Sequence, residues 1–190
     1  VYTMVYGIAK MINFAHGDII MVGAYALYVF VGLLGLHPVP AVLLTIVVCA
    51  VLGITIEKVA YKPLRNATPL AVLITAIGVS YLLQNLSLLI FKATPIPFGS
   101  IIRVPSVKVG SLNISGITIV TLVVTTVSMI ALTLFINKSK AGRAMRAVSE
   151  DKGAAELMGV NVNQTISLTF AIGSALAAVA GILFISQYET

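Results

Sequence analysis

Residues 19–56 read IIMVGAYALYVFVGLLGLHPVPAVLLTIVVCAVLGITI and contain no Asp, Glu, Lys or Arg. The run is too long for one membrane crossing, and it is broken once, at His37-Pro38-Val39-Pro40. Proline lacks the N–H of the helical ladder and its ring clashes with the preceding turn, so this pair ends one helix and opens another. The stretch divides into Ile19–Leu36 and Val39–Ile56. Each span is about 27 Å long at 1.5 Å per residue, close to the thickness of a hydrocarbon core. Lipid offers no partner to a bare backbone N–H or C=O, so runs of this kind are helical throughout.

The same reading extends along the chain. Uncharged runs at 66–91, 109–137 and 157–188 hold spans at Leu70–Phe91, Ile114–Ile136 and Ile166–Ser186. Residues 1–9 have the pattern of the tail of an earlier helix, and because Val1 opens inside it, the 190 residues are expected to be a piece of a longer chain. A β-barrel would need segments of about 10 alternating residues, and these runs are longer and apolar all round. The expected fold is all-α: a polytopic transmembrane helix bundle of about five full spans plus a truncated first helix, one domain over 1–190.

Composition agrees. The chain is 59% apolar and 9% charged, with a mean hydropathy of +1.07. Soluble domains run at about 25% charged, so disorder, a disulfide scaffold and an ordinary soluble enzyme are excluded. The net charge of +6 sits in short clusters between spans, which marks orientation signals and not nucleic-acid binding. With 10–18, 57–69 and 137–165 on one side, that side holds nine basic residues: Lys10, Lys58, Lys62, Arg65, Lys138, Lys140, Arg143, Arg146 and Lys152. The other side holds three, Lys92, Arg103 and Lys108. The bias places the first set in the cytoplasm and the 92–113 loop outside. Within that outer loop, residues 107–114 read as a small hairpin about Gly110-Ser111. No signal peptide is visible; insertion through the spans suffices.

No catalytic, cofactor-binding or metal site is expected. The phosphate-loop pattern Gly-x4-Gly-Lys-Ser/Thr is absent, and so is His-Glu-x2-His. His16 and His37 are isolated, and the lone Cys49 reads as a small buried apolar residue. Asn13, His16, Gly17 and Asp18 form a polar turn in which Asp18 is expected to cap the helix that follows. That turn is either held by its own hydrogen bonds or lies near a pathway through the bundle. Gln84 and Asn85 are costly in lipid, and either glue helices together or line a pathway. The Thr residues of 114–136 can bond back to their own helix. Gly173, Ala177 and Gly181 fall four apart on one face, where small side chains let two backbones approach. No acid or base lies deep in any predicted span, which argues against proton antiport and voltage sensing.

The segment 137–165 is too long and too polar for a plain connector. A helix over Glu150–Met158 is expected, with Ser149 as N-cap and Gly159 as C-cap. Its small apolar face, Ala154, Ala155, Leu157 and Met158, needs something to dock against.

Two motifs together carry a resemblance to a known family. They are Tyr2-Thr-Met-Val-Tyr-Gly-Ile through Met11-Ile-Asn-Phe-Ala-His-Gly-Asp18, and Gly142-Arg-Ala-Met-Arg-Ala through Gly159-Val-Asn; Glu57-Lys-Val-Ala-Tyr-Lys-Pro-Leu-Arg65 is also typical. Over essentially its whole length the chain resembles the inner-membrane permease of bacterial branched-chain amino acid ATP-binding-cassette (ABC) transporters, of the high-affinity leucine/isoleucine/valine type. Members are longer at both ends. The resemblance implies a multi-pass inner-membrane subunit that imports branched-chain amino acids by alternating access. It also implies ABC ATPase subunits that carry ATP and Mg, a second homologous permease subunit and a periplasmic substrate-binding protein. ABC importer permeases carry Glu-Ala-Ala, three residues, then Gly; here the stretch is Gly153-Ala-Ala-Glu-Leu-Met-Gly159, with Gly153 in place of the Glu. By that resemblance 137–165 is the coupling loop. Ala154, Ala155 and Gly159 would be contact or close-packing positions, and Arg143, Arg146 or Glu150 would supply the charge. Aspartate at Ala155 or Gly159 is expected to block ATPase assembly. Gln84 and Asn85 are the substrate-pathway candidates. The alternatives are a secondary transporter or channel, or an ABC permease for another small polar solute such as urea or a short amide.

Overall fold

The computed structural model describes residues 15–65, 67–92, 99, 106–109 and 112–188. Asn13, the expected helix tail at 1–9, Lys10, Arg103 and the Gly110-Ser111 turn lie outside the described residues.

The helices are α1 (His16–Leu27), α2 (Pro38–Ile56), α3 (Pro69–Phe91), α4 (Gly116–Lys138), α5 (Lys140–Glu150), α6 (Lys152–Leu157) and α7 (Val162–Tyr188). A π-helical turn, Tyr28–Leu33, continues α1; a π-helical turn at Glu57–Tyr61 and a 3-10 turn at Lys62–Leu64 continue α2. Two three-residue strands, β1 (Val107–Val109) and β2 (Leu112–Ile114), pair antiparallel, with Val109 opposite Leu112. The two strands of the expected hairpin are therefore paired. Among the described residues, five helices are long and apolar enough to cross a membrane: His16–Leu33, Pro38–Leu64, Leu70–Phe91, Gly116–Lys138 and Val162–Tyr188.

Two helices, α2 and α3, start in the same way. At α2, the His37 ring nitrogen accepts from the Val39 N–H at 3.4 Å, and Pro38 takes a first-turn position whose missing N–H costs nothing. At α3, the Thr68 hydroxyl accepts from Ala71 at 3.4 Å ahead of Pro69. Most ends differ from expectation by a few residues, as where α4 begins at Gly116 and not Ile114 and α7 at Val162 and not Ile166, and two differences bear on the site. The span expected to stop at Ile56 runs on to Leu64, because the charge at Glu57 is matched inside the fold and so does not end the helix. The span expected from Ile19 begins at His16, which puts Asp18 inside the first turn and not before it.

The central helix is α7. It packs along α1 and α2 and also touches α4, α5 and α6. The small-residue face predicted for it does this packing. A Cβ on Gly181 would run into the Ile20 carbonyl, one on Gly53 into the Ser174 side chain, and one on Gly23 would stand 3.1 Å from the Ala178 Cα. Hydrophobic drive between helices is weak in lipid, so this close fit, with its many dispersion contacts, holds the bundle together. Outward faces stay apolar, as at Leu43, Val47 and Val51 of α2, which suits a lipid solvent.

At one end of the bundle the segment 138–162 forms a jointed rod. Ser139 is both the last cap of α4 and the first cap of α5, accepting from the Gly142 N–H at 2.8 Å. Asp151 likewise ends α5 and opens α6, its carboxylate accepting from the Gly153 and Ala154 N–H groups at 2.7 and 3.0 Å. The expected Ser149 cap is corrected here: Ser149 lies within α5 and its hydroxyl donates back to the Arg146 carbonyl. The aspartate wins because it stands free of α5 and has two N–H groups within reach.

Candidate functional site

Three arrangements carry chemistry, each placed by the packing just described. The first lies at mid-depth. Asp18 is buried, and its carboxylate accepts hydrogen bonds from the Ser80 hydroxyl and, at 2.9 Å, from the Gln84 amide. Ser80 and Gln84 stand roughly 17–23 Å along α3 from its first residue, at 1.5 Å per residue. Tyr25, further along α1, stacks on Phe91 at the far end of α3 with ring centroids 4.2 Å apart. Helix α1 therefore begins beside the middle of α3, and residues 15–18 are not at the membrane boundary where a cytoplasmic 10–18 loop would put them. Helix starts at mid-depth, with their unpaired N–H groups, are a recurring way of meeting polar solutes inside a bundle. His16 begins the helix and Gly17 is exposed beside it. Of the two pathway candidates, only Gln84 joins the cluster; Asn85 turns back and donates to the Tyr81 carbonyl of its own helix at 2.7 Å.

Asp18, at mid-depth within the span His16–Leu33, overturns the expectation that no acid lies deep in a span, and the second arrangement adds a buried acid nearer the end of another. Glu57, in the continuation of α2, is fully buried. One carboxylate oxygen takes an ion pair from Arg65, and the other accepts from the Ser167 hydroxyl of α7. Arg65 also donates to the Asn163 side chain in the first turn of α7. The bond bridges the 57–69 and 137–165 segments and puts both at one end of the bundle, as the charge count requires.

The third is the elbow between α6 and α7. Gly159 has φ +82°, a left-handed conformation that favours glycine. Its N–H donates to the Glu156 carbonyl at 2.9 Å, and the Val160 N–H to the Ala155 carbonyl at 3.0 Å. This is the Schellman ending. It turns Ala155 inward, where it is buried, and leaves Leu157 and Met158 at 91% and 84% exposure. Ala154 and Glu150 are exposed. Arg143 and Arg146 are exposed and bond to the Lys138 and Asn137 carbonyls at the end of α4. Met145 and Val148, on the other face of α5, share a core with Tyr61 and Phe170. Sequence reasoning placed Leu157 and Met158 on an apolar face but did not single them out. In a chain this apolar, only the turn at Gly159 reveals which residues protrude.

Among the Thr residues of α4, Thr121 and Thr133 bond back to the Ile117 and Met129 carbonyls, as expected. Thr125 and Ser128 border a groove of about 510 Å³ between α4 and α7.

A prediction follows for the first cluster. Asp18→Leu leaves the Ser80 and Gln84 donors without an acceptor and lowers stability in detergent by about 1–3 kcal/mol. Asp18→Asn keeps one acceptor and one donor for the same pair, so its thermal transition stays nearer the parent's. Equal melting of the two variants would show that the bonds carry no load.

A helical bundle with five membrane-length helices among the described residues, a polar step at mid-depth and an apolar-tipped elbow at one end defines a polytopic membrane protein. Residues 2–190 match the family described as branched-chain amino acid transport system / permease component, and the chain belongs to that family. It is 44% identical, over 98% of its length, to the high-affinity branched-chain amino acid transport system permease protein BraD of Pseudomonas aeruginosa. It is 42% identical, over 96%, to the protein of the same description, LivH, of Escherichia coli K12. It covers 65% and 63% of those proteins, and so spans less than two thirds of the length of the curated relatives it matches. No solved structure matches the chain. Membership and the five apolar helices make it a multi-pass protein of a bacterial inner membrane.

Proposed function

We propose that the chain is part of the membrane-spanning permease of an ATP-driven importer of branched-chain amino acids. Its partners are ABC ATPases bound at the α6 elbow, a second homologous permease subunit and a periplasmic binding protein; ATP and Mg²⁺ sit on the ATPases. The observation that carries the reading is the pair Leu157 and Met158, held almost fully exposed on a rigid elbow at the basic end, away from the lipid-facing helices. Apolar side chains presented in this way anchor interfaces. The structure also changes which residues test it. Ala155 is buried, so an aspartate there disturbs packing and not docking, and Gly159→Asp strains a left-handed backbone. Asp18, Ser80 and Gln84 form the polar step of the pathway: a zwitterion with an apolar side chain needs a few dipoles and an apolar wall.

The test is reconstitution of the permease with its ATPases and binding protein in proteoliposomes. ATP-dependent uptake of leucine, isoleucine or valine is expected, with none when the ATPases are omitted. A second reading, a secondary transporter, draws on Asp18 as a buried carboxylate at mid-depth. Uptake driven by a proton gradient without ATPase would establish that reading and overturn the first. Uptake of urea or a short amide in place of these amino acids would revise the substrate alone.

A further inference from the structure

Neither the mid-depth cluster nor the docking tip uses the Glu57–Arg65 ion pair. Its position between the elbow and the bundle gives it work. Behind the elbow there is no slack. The Schellman turn closes α6, and only Val160 and Asn161 separate it from α7. Asn161 itself caps α7, its side chain accepting from the Gln164 N–H at 3.0 Å and its carbonyl from Thr165 at 3.0 and 2.9 Å. A push on Leu157 and Met158 therefore arrives at the first turn of α7, where Asn163 stands. Asn163 accepts from Arg65, Arg65 pairs with Glu57, and Glu57 accepts from Ser167 one turn further along α7. On the α2 side these bonds fall where the helix is irregular, across the π-helical turn Glu57–Tyr61 and the 3-10 turn Lys62–Leu64. π-helical turns within a helix occur frequently at functional sites. Tyr61 of the same turn packs on Phe170 with centroids 5.4 Å apart.

We propose that Glu57, Arg65, Asn163 and Ser167 form the joint that passes movement of the α6–α7 elbow to α2, making them positioning residues for transport. This inference rests on the reading of α6 as the ATPase-docking element. A buried ion pair is a poor source of net stability, because desolvation offsets most of its attraction; directionality is what it supplies. The buried Arg65 Nε–H has no acceptor among the described residues, so a second arrangement of the joint has a donor to use. The outer link is the one to cut. Asn163 is exposed, and its loss leaves the Glu57–Arg65 pair intact.

The experiment compares Asn163→Leu with Asn163→Asp in the reconstituted complex and reads ATP hydrolysed per amino acid imported. Leucine cannot accept from Arg65, whereas aspartate accepts more strongly. Asn163→Leu is expected to insert, bind ATPase and hydrolyse ATP normally, while ATP spent per import rises at least about fivefold, the low end of ordinary coupling energies. Asn163→Asp is expected to keep the parent ratio. An unchanged ratio in Asn163→Leu, or the same rise in both variants, overturns the joint while leaving docking in place. Failure of the parent permease to bind any ATPase overturns the docking reading and the joint with it. If Asn163→Leu does not insert, Ser167→Ala removes the other α7 link and is read against the same outcomes.

Discussion

Gly181→Leu is expected to abolish the folded bundle. A Cβ at position 181 meets the Ile20 carbonyl, stands 3.0 Å from the Ala24 nitrogen and 3.3 Å from the Ile20 carbonyl carbon. All three are backbone atoms of α1, which cannot swing aside as a side chain does. The only relief is to move α1 away from α7, which also opens the fit of Gly23 on Ala178 and of the buried Leu27, Ile182 and Ile185 cluster. Overpacking by a methyl or so in a well-filled core costs about 1–3 kcal/mol, and Gly181→Ala should fall in that range. Leucine adds three further carbons in the same direction, and its expected signature is loss of the monodisperse peak on size exclusion of detergent-extracted protein. Gly78→Ala is the control. Nothing lies within 4 Å of its Cβ position, and alanine favours a helix over glycine by about 1 kcal/mol. A Gly181→Leu protein that elutes and melts like its parent would show that α1 and α7 do not meet through Gly181.

The double variant Leu157→Asp, Met158→Asp is expected to spare the fold and remove the partner. Both side chains are almost entirely exposed, so the bundle loses no packing, and surface changes of this kind stay within about 0.5 kcal/mol. At an interface the result is opposite, since two carboxylates would be carried into an apolar pocket. Anchors of this kind are worth at least about 2 kcal/mol each, so ATPase capture should weaken by roughly 700-fold or more. The measurement is pull-down of ATPase on the tagged permease together with amino acid uptake; both should fall while membrane insertion holds. Normal pull-down would remove these two residues from the docking surface. Ala155→Asp makes a useful contrast. It puts a charge into the core shared with Met145, Val148 and Phe170 and should lower the amount of folded protein itself.

The spans were legible because lipid makes a one-dimensional demand: a charge-free run of sufficient length, ended by proline, glycine or a charge. The α7 contact face was legible for a related reason, because Gly173, Ala177 and Gly181 recur at helical spacing. What misled was the edge of a span. Asp18 and Glu57 stand next to apolar runs and read as loop charges. They are helical and buried because each finds partners on another helix, Ser80 and Gln84 for one and Ser167 for the other, with Arg65 joining Glu57 from eight positions along its own segment. Asp18 lies 62 and 66 positions from its donors and Glu57 lies 110 from Ser167. Pattern within a window cannot see such pairs. The helix expected over 150–158 is α6, Lys152–Leu157, opened by Asp151 and not Ser149 because Ser149 lies within α5, a helix the sequence reading did not expect.

By itself the sequence determined the solvent of this protein, the five spans among its described residues and the face on which its central helix packs. These follow from composition and period, which are local. Tertiary structure alone decided that α1 begins beside the middle of α3, that Glu57 is paired and not solvated, and that Leu157 and Met158 protrude while Ala155 turns inward. Each of these depends on how far apart in sequence two contacting groups are, or on the handedness of one turn at Gly159, and neither is written in hydropathy.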